Sequence, residues 1–340
     1  MALEHLLHNW KNTDISFIIQ GMVQPYINRQ IAEIKKFFPQ ARVIVSTCND
    51  IPAEIIGADK IIQNEDPGCL YCFDGKTSVP NNINRQITST LAGLKACETE
   101  YAFKLRSDFL LTGKDFLQYF IKFCVENPRY QVFSHKVLAC CYVSRNPRSA
   151  IPYAFHPSDF AFFGKTADLL DLFDIPLMTE AEARWDKDNF YHNRYVPEQY
   201  LFVNFLKKHK EIGFRQYNDS SAKNIEESER YLAANLILLN FKQFNLHPMK
   251  DEFRIICPKN ALNYASCYTS VEWQKLYRKY VDPKHRIPLW DGERFKINKA
   301  VRIFKFYKLA ARILALPFRG RERRRQIRQK LLNRFLRIHP

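Results

Sequence analysis

Short apolar runs alternate with apolar stripes at helical spacing along most of this chain. Ile15–Gln20 is rich in β-branched and aromatic residues and closes at Gly21, the pattern of a buried strand. From Asn28 to Phe38 the apolar residues fall at 31, 34, 37 and 38, one face of a helix that Pro39 stops. Ala41–Ser46 and Asp59–Gln63 read as further strands, with Pro52 and Gly57 marking turns between them. Residues 64–80, rich in Asp, Gly, Pro and Asn, read as a long polar loop, and loops of that length in compact domains are usually functional or disordered. A helix is predicted over Ile83–Ala96, a strand over Tyr101–Phe109, a helix over Asp115–Val125 and a strand around Tyr130–Leu138. Phe160–Gly164 is the next strand, followed by a helix through Leu169–Phe173. Pro197 opens a helix to Lys208, since the first turn does not need its missing N–H. Beyond residue 212 the pattern is more mixed, giving a helix at Arg230–Asn240, a strand at Phe253–Cys257 and a helix near Val271–Tyr280. Strands alternating with helices predict an α/β fold, a Rossmann-type mixed, mostly parallel sheet flanked by helices.

The tail from Arg294 changes character. Apolar residues recur at helical spacing, among them Ile297, Val301, Phe304, Leu309 and Ile313, set between lysines and arginines. No stretch reaches the 18 uncharged apolar residues of a membrane span. The pattern predicts a basic amphipathic helix lying on an anionic membrane surface, with a second basic block at Arg319–Arg325 after Pro317. Residues 294–340 hold 16 Lys and Arg against Glu322 alone, so the formal charge of +17 leaves 36 basic and 34 acidic residues for the rest. A nearly neutral body offers no basic face for nucleic acid, which makes that partner the weaker expectation. The chain divides on this reading into an α/β body over 1–255, a helical extension of it over 256–293, and the membrane-surface tail over 294–340.

At 340 residues the length suits one large α/β unit with appendages, and 27 Phe with 17 Tyr can fill its core. Only 10 Gly argue against a Gly-rich phosphate loop. Nine cysteines form no even framework and the N-terminus lacks the apolar core of a signal peptide, so a reducing cytoplasm is expected, with the protein peripheral on the inner face of the plasma membrane. Cys69 and Cys72 have metal-like spacing but lack the second ligand pair a zinc site needs.

Candidate chemistry concentrates where strand Tyr101–Phe109 runs abruptly into Asp108. Open α/β sheets bind ligands at the carboxyl ends of their strands, and strand alternation sets Lys104, Arg106 and Asp108 on one side. Two cations and a carboxylate in one row either face a donor-nucleotide crevice or form a salt-bridged ladder inside the sheet, since buried charges are costly unpaired.

Gln20-Gly21, Phe38-Pro39, Ser46-Thr47, Asp66-Pro67-Gly68, Asn84-Arg85-Gln86-Ile87 and Lys104-Leu105-Arg106-Ser107-Asp108-Phe109, in that order, resemble the WavE lipopolysaccharide synthesis family over about residues 14–210. The resemblance implies a GT-A-like glycosyltransferase that moves a sugar from a nucleotide-sugar donor to a lipopolysaccharide or capsular saccharide acceptor, lipid-linked or free. A non-catalytic nucleotide-sugar or polysaccharide-binding subunit is the rival. Enzymes of GT-A type commonly end a strand in Asp-x-Asp, which holds Mg²⁺ or Mn²⁺ on the donor diphosphate. Here Arg106 stands in the first aspartate's place. Either Asp108 holds a metal, with or without Asp159, or Arg106 and Arg85 offset the leaving-group charge without one, an arginine fork matching phosphate bidentately. Gln20 and Gly21 would line base and ribose, and Asn84 and Arg85 would meet ribose or phosphate. An inverting transfer needs a carboxylate base, for which Asp159 and Glu198 are the candidates. Glu198 at a helix start and Asp159 after His156-Pro157 also suit a dipole-favoured carboxylate and a turn residue.

Overall fold

The computed structural model describes residues 15–51, 54–73, 78–184, 193–250, 253 and 260–338. The strands are β1 (Ile15–Gln20), β2 (Arg42–Thr47), β3 (Lys60–Gln63), β4 (Leu70–Phe73), β5 (Ser78–Asn81), β6 (Tyr101–Arg106), β7 (Phe109–Leu111), β8 (Val137–Cys140), β9 (Ala161–Lys165), β10 (Leu236–Leu239) and β11 (Leu246–Pro248). The helices are α1 (Ile27–Phe37), α2 (Ile83–Lys95), α3 (Phe116–Lys122), α4 (Thr166–Phe173), α5 (Glu180–Ala183), α6 (Pro197–His209), α7 (Ala222–Asn235), α8 (Ala261–Ala265), α9 (Ser270–Tyr280), α10 (Gly292–Leu314) and α11 (Arg321–Ile338).

Seven strands form one sheet in the order β10-β8-β9-β6-β1-β2-β3. All its neighbours are parallel except β9, which runs antiparallel to both β6 and β8. The mixed, mostly parallel Rossmann-like sheet expected from the sequence is therefore present. From β1 the chain winds outward to β2 and β3, then returns to lay β6 on the other side of β1. That reversal makes a crevice at the carboxyl ends of β1 and β6, where open α/β sheets take their ligands.

The core explains the apolar runs. Every residue of β1 is buried, and Phe103 on β6 meets Phe17 at 5.3 Å, Phe116 at 5.1 Å and Phe244 at 5.3 Å between ring centroids. Such aromatic pairs add about 0.5–1.5 kcal/mol each beyond the area they bury. Helix α2 lies close enough on β1 that a Cβ at Gly93 would stand 2.4 Å from Ile18 Cγ2. Only glycine permits that approach.

Several local expectations need correction. Residues 64–80 are not one loop, because β4 and β5 pair as an antiparallel hairpin within them. The strand expected from Tyr130 starts only at Val137. Residues 132 and 133 instead donate backbone N–H groups to Asn235 Oδ1, at 2.6 and 3.1 Å. The helix expected over Arg230–Asn240 is α7, begun at the Ser221 cap, and Leu236–Leu239 leaves it as a buried parallel strand beside β8. Apart from Phe253, the strand expected at 253–257 lies outside the described residues.

The basic tail is helical, as its spacing predicts, but it begins inside the body. Asp291 caps α10 by accepting from the backbone N–H of Arg294, and Arg294 donates to Glu272 and to the carbonyls of Ala265 and Cys267. Ile297 and Ala300 are buried behind it. Helix α11 then folds back on α10, with Tyr307 and Phe335 rings 5.4 Å apart. No helix among the described residues is long and apolar enough to cross a membrane.

Candidate functional site

A cleft of about 430 Å³ opens at the β1/β6 crevice. One wall is the end of β1 and the loop after β2, with Gln20, Gly21, Cys48 and Asn49. Helix α2 supplies a second wall, with Arg85, Gln86 and Ser89. Arg106, Asp159 and Glu198 close the third. Gly21 has φ +120°, and a Cβ there would approach Ser107 Oγ to 3.0 Å, so a side chain would be both strained and crowded. Gln20 donates to Ser89 Oγ at 3.1 Å, which joins the first strand to α2 across the cleft floor.

The carboxyl end of β6 is held from behind. Buried Gln30 donates to the carbonyls of Arg106 (3.2 Å) and Phe109 (2.6 Å), and the Ser107 N–H donates to the Gln20 carbonyl at 2.9 Å. The chain turns there, and Asp108 points into the protein beneath the cleft. Its Oδ1 accepts from Arg106 Nε at 3.1 Å, and its Oδ2 accepts from Arg106 Nη2 at 2.7 Å and lies 3.0 Å from Lys250 Nζ. Burial opposes the charge on Asp108, but these two cations outweigh it and hold the carboxyl below its ordinary range. Arg106 spans the gap. Its guanidinium lies over the Phe160 ring at 4.7 Å, and its Nη1 is 3.8 Å from Asp159 Oδ1.

Asp159 and Glu198 share the cleft's deepest wall. Glu198 sits in the first turn of α6, where its side chain is 18% exposed. Burial first, and then the neighbouring Asp159, push its carboxyl up to about 7. His156 Nε2 stands 3.6 Å from Glu198 Oε2, beyond hydrogen-bond range. Burial and Arg145 push the His156 imidazole down to about 3, so it is neutral and its contact adds no charge. A carboxyl that titrates near neutrality, in a cleft, is suited to take or give a proton at ordinary pH.

Six of the sequence candidates, Gln20, Gly21, Arg85, Arg106, Asp159 and Glu198, meet in this one cleft. Three do not. Asn84 faces away from it: its amide donates to the Met178 carbonyl at 2.9 Å and accepts from the Met178 N–H at 2.7 Å, so both polar ends are spent clamping the chain before α5. Lys104 is fully buried under the site and donates to the Asp159 main-chain carbonyl at 2.5 Å. Burial lowers its ammonium to about 8, and its task is to hold Asp159 in place. Asp108 is the third. The row Lys104, Arg106 and Asp108 is thus a paired ladder whose middle member alone reaches the cleft.

A divalent cation at Asp108 is tested by the same contacts. Mg²⁺ and Mn²⁺ take open oxygen ligands. Both Asp108 oxygens are already engaged by cations, and the side chain is 5% exposed. The residues present do not fit an ion there. Arg85 is also engaged, but at the surface: its Nε and Nη2 grip Asp66 at 2.7 and 2.6 Å, and its Nη1 donates to Asn82 at 2.9 Å. Cys48, Asn49, Ser89 and Lys250 were not singled out in the sequence, and Gln86 and Asp66 stood out only as members of the family-like motifs, without a role. The polar end of β2 at Ser46-Thr47-Cys48-Asn49 was the one signal that pointed to the first two.

The model of the WavE lipopolysaccharide synthesis family matches residues 15–309, and the chain belongs to that family. The family places it in lipopolysaccharide synthesis. The match embraces every cleft residue and runs into α10. No curated protein matches the chain closely enough to count as a relative.

Proposed function

We propose that the chain is a GT-A-like glycosyltransferase whose cleft binds a nucleotide-sugar donor and passes the sugar to a lipopolysaccharide or capsular saccharide. The observation that supports this most is the meeting, in one crevice at the sheet's reversal, of two arginines and two carboxylates. Arginine forks suit a diphosphate. Paired carboxylates, one with its proton affinity raised, suit removal of a proton from an attacking hydroxyl.

In this reading Gln20, Gly21 and Asn49 line the base and ribose, and Arg85 with Arg106 meets the diphosphate as charge develops on the leaving group. The metal-free alternative is preferred because Asp108 already neutralises the far side of Arg106 and Lys250. Glu198 is the base. Its raised carboxyl gives up a proton at mildly alkaline pH, and Asp159, carried on the carbonyl that Lys104 holds, keeps that affinity high. In lipid-linked synthesis the basic α10–α11 segment would rest on the anionic inner face of the plasma membrane.

A thermal-shift series with UDP, GDP, CMP and their sugars, with and without Mn²⁺, tests the donor site, because a ligand at 100 times its Kd stabilises by about 2.7 kcal/mol. Slow hydrolysis of the stabilising donor is expected as well. Stabilisation without hydrolysis would assign the chain to the binding-subunit class, and no stabilisation by any nucleotide would remove the donor reading.

A further inference from the structure

The two C-terminal helices enclose a concavity of about 690 Å³ that is separate from the cleft. Its rim carries Lys308 and Arg312 from α10 and Arg321, Arg325 and Arg328 from α11, with Glu322 the one acid. The floor is Ala311, which α11 buries. Among the described residues none of these five cations is in an ion pair, whereas the arginines of the cleft are all paired. Five like charges around one bowl raise a local positive potential that draws an anion into it. The first turn of α11, an 18-residue helix, adds its unpaired backbone N–H groups to the same rim.

A second observation says which anion. The end of α10 and the turn after it expose Ile313, Leu314, Leu316 and Phe318. A soluble phosphate would gain nothing from them. A lipid phosphate would, because its chains lie against the apolar turn while its headgroup reaches the bowl. We infer that the α10–α11 hairpin is a lipid-phosphate receptor, taking the phosphate of an anionic membrane lipid in the cationic bowl and seating the apolar turn among the acyl chains. This goes beyond the surface attraction proposed above, which needs only net charge. It does not depend on the cleft's chemistry.

Charge-conserving variants of the full chain separate fork recognition from mere charge. Lysine keeps the charge of arginine but loses its planar fork. Arg312→Lys with Arg325→Lys should weaken co-sedimentation with phosphatidic-acid vesicles in a phosphatidylcholine background about tenfold. The same exchange at exposed Arg302 and Arg334, outside the bowl, should stay within about twofold. Leu314→Ser with Leu316→Ser should weaken vesicle binding and leave calorimetric binding of inorganic pyrophosphate unchanged. Equal losses for the two lysine pairs would reduce the site to diffuse attraction and overturn the proposal. Failure of the unaltered chain to co-sediment with the phosphatidic-acid vesicles would overturn the lipid source. Donor hydrolysis, followed in parallel, should be unchanged in all of these variants, so a failure at the hairpin is not confused with a failure at the cleft.

Discussion

The cleft and the C-terminal hairpin are both rich in arginine, yet they treat charge in opposite ways. In the cleft each cation is met by a carboxylate, Arg106 by Asp108 and Arg85 by Asp66, which fixes both side chains before any ligand arrives. On the hairpin, Arg312, Arg321 and Arg325 line a bowl with no ion partner among the described residues. Cancellation suits a site that must hold reacting groups in fixed positions at low net charge. Uncancelled charge suits a surface that draws an extended anion and tolerates loose geometry. A high positive charge on the whole chain therefore says little about the proposed chemistry, whose cleft belongs to the nearly neutral part.

The strongest way to break this contrast is at the cleft. Glu198→Gln should bind donor normally and lose roughly 10²–10⁴ in turnover, the usual worth of a general base. Near wild-type turnover at saturating donor would remove Glu198 from the chemistry, and the same result for Asp159→Asn would point to a retaining transfer or another carboxylate. Next in size is the buried ladder. Asp108→Asn takes the anion from half-exposed Lys250 and leaves Arg106 only the longer contact to Asp159, and a charge-assisted bond of this kind is worth about 1.5–3 kcal/mol. Denaturant unfolding should show that loss, with donor affinity falling because Arg106 is no longer held. Unchanged stability would mean that Asp108 is not the keystone of the ladder.

A smaller effect follows from the titration of Glu198. Its carboxyl is raised from 4.5 to about 7 in the folded protein, so the protonated form favours folding. That contribution is complete below about pH 4.5 and is lost as the pH rises through 7. Glu198→Gln removes the titration. The variant should therefore gain on the wild type by on the order of 1–3 kcal/mol between pH 5 and 8, measured as the difference in unfolding free energy. A pH-independent difference would contradict the raised carboxyl. The smallest effects concern the exposed pair at the cleft mouth. Arg85→Ala should cost about 1.5 kcal/mol of diphosphate affinity. Asp66→Asn should improve that affinity by about two- to fivefold, because the ligand no longer has to displace a solvent-screened carboxylate from Arg85. A weaker ligand in Asp66→Asn would make Asp66 part of the site instead of a competitor.

Much of the fold was legible because its strands are short apolar runs bounded by Gly, Pro or charge, and the crevice at β1 and β6 follows from where Gln20-Gly21 and Arg106 stand. Periodicity could not give strand direction. The antiparallel course of β9 depends on a connection through His156-Pro157-Ser158, which has no periodic signature. Nor could it separate Leu236–Leu239 from the helix before it, since a short apolar run fits either. At the site, the row Lys104, Arg106 and Asp108 was visible, but its pairing was not. Lys250 reaches Asp108 from across 142 positions of sequence, and only the tertiary fold brings them together. Asn84 was misplaced for a related reason. It adjoins Arg85, but successive residues on a helix point about 100° apart, so Arg85 faces the cleft while Asn84 faces Met178.

The docking of α10 has a mechanical consequence. Arg294, Ile297 and Ala300 clamp the base of the helix to the body, and from Ala300 to Leu314 it continues without a break. At about 1.5 Å per residue that free length is roughly 21 Å. A clamped rod of this kind is a ruler: whatever its tip rests on is kept at a set height from the body. If the tip rests in a bilayer, acceptors whose growing end stands at that height are served and shorter ones are not. Inserting or removing one helical turn would then change which chain lengths are extended, without touching a single residue of the cleft.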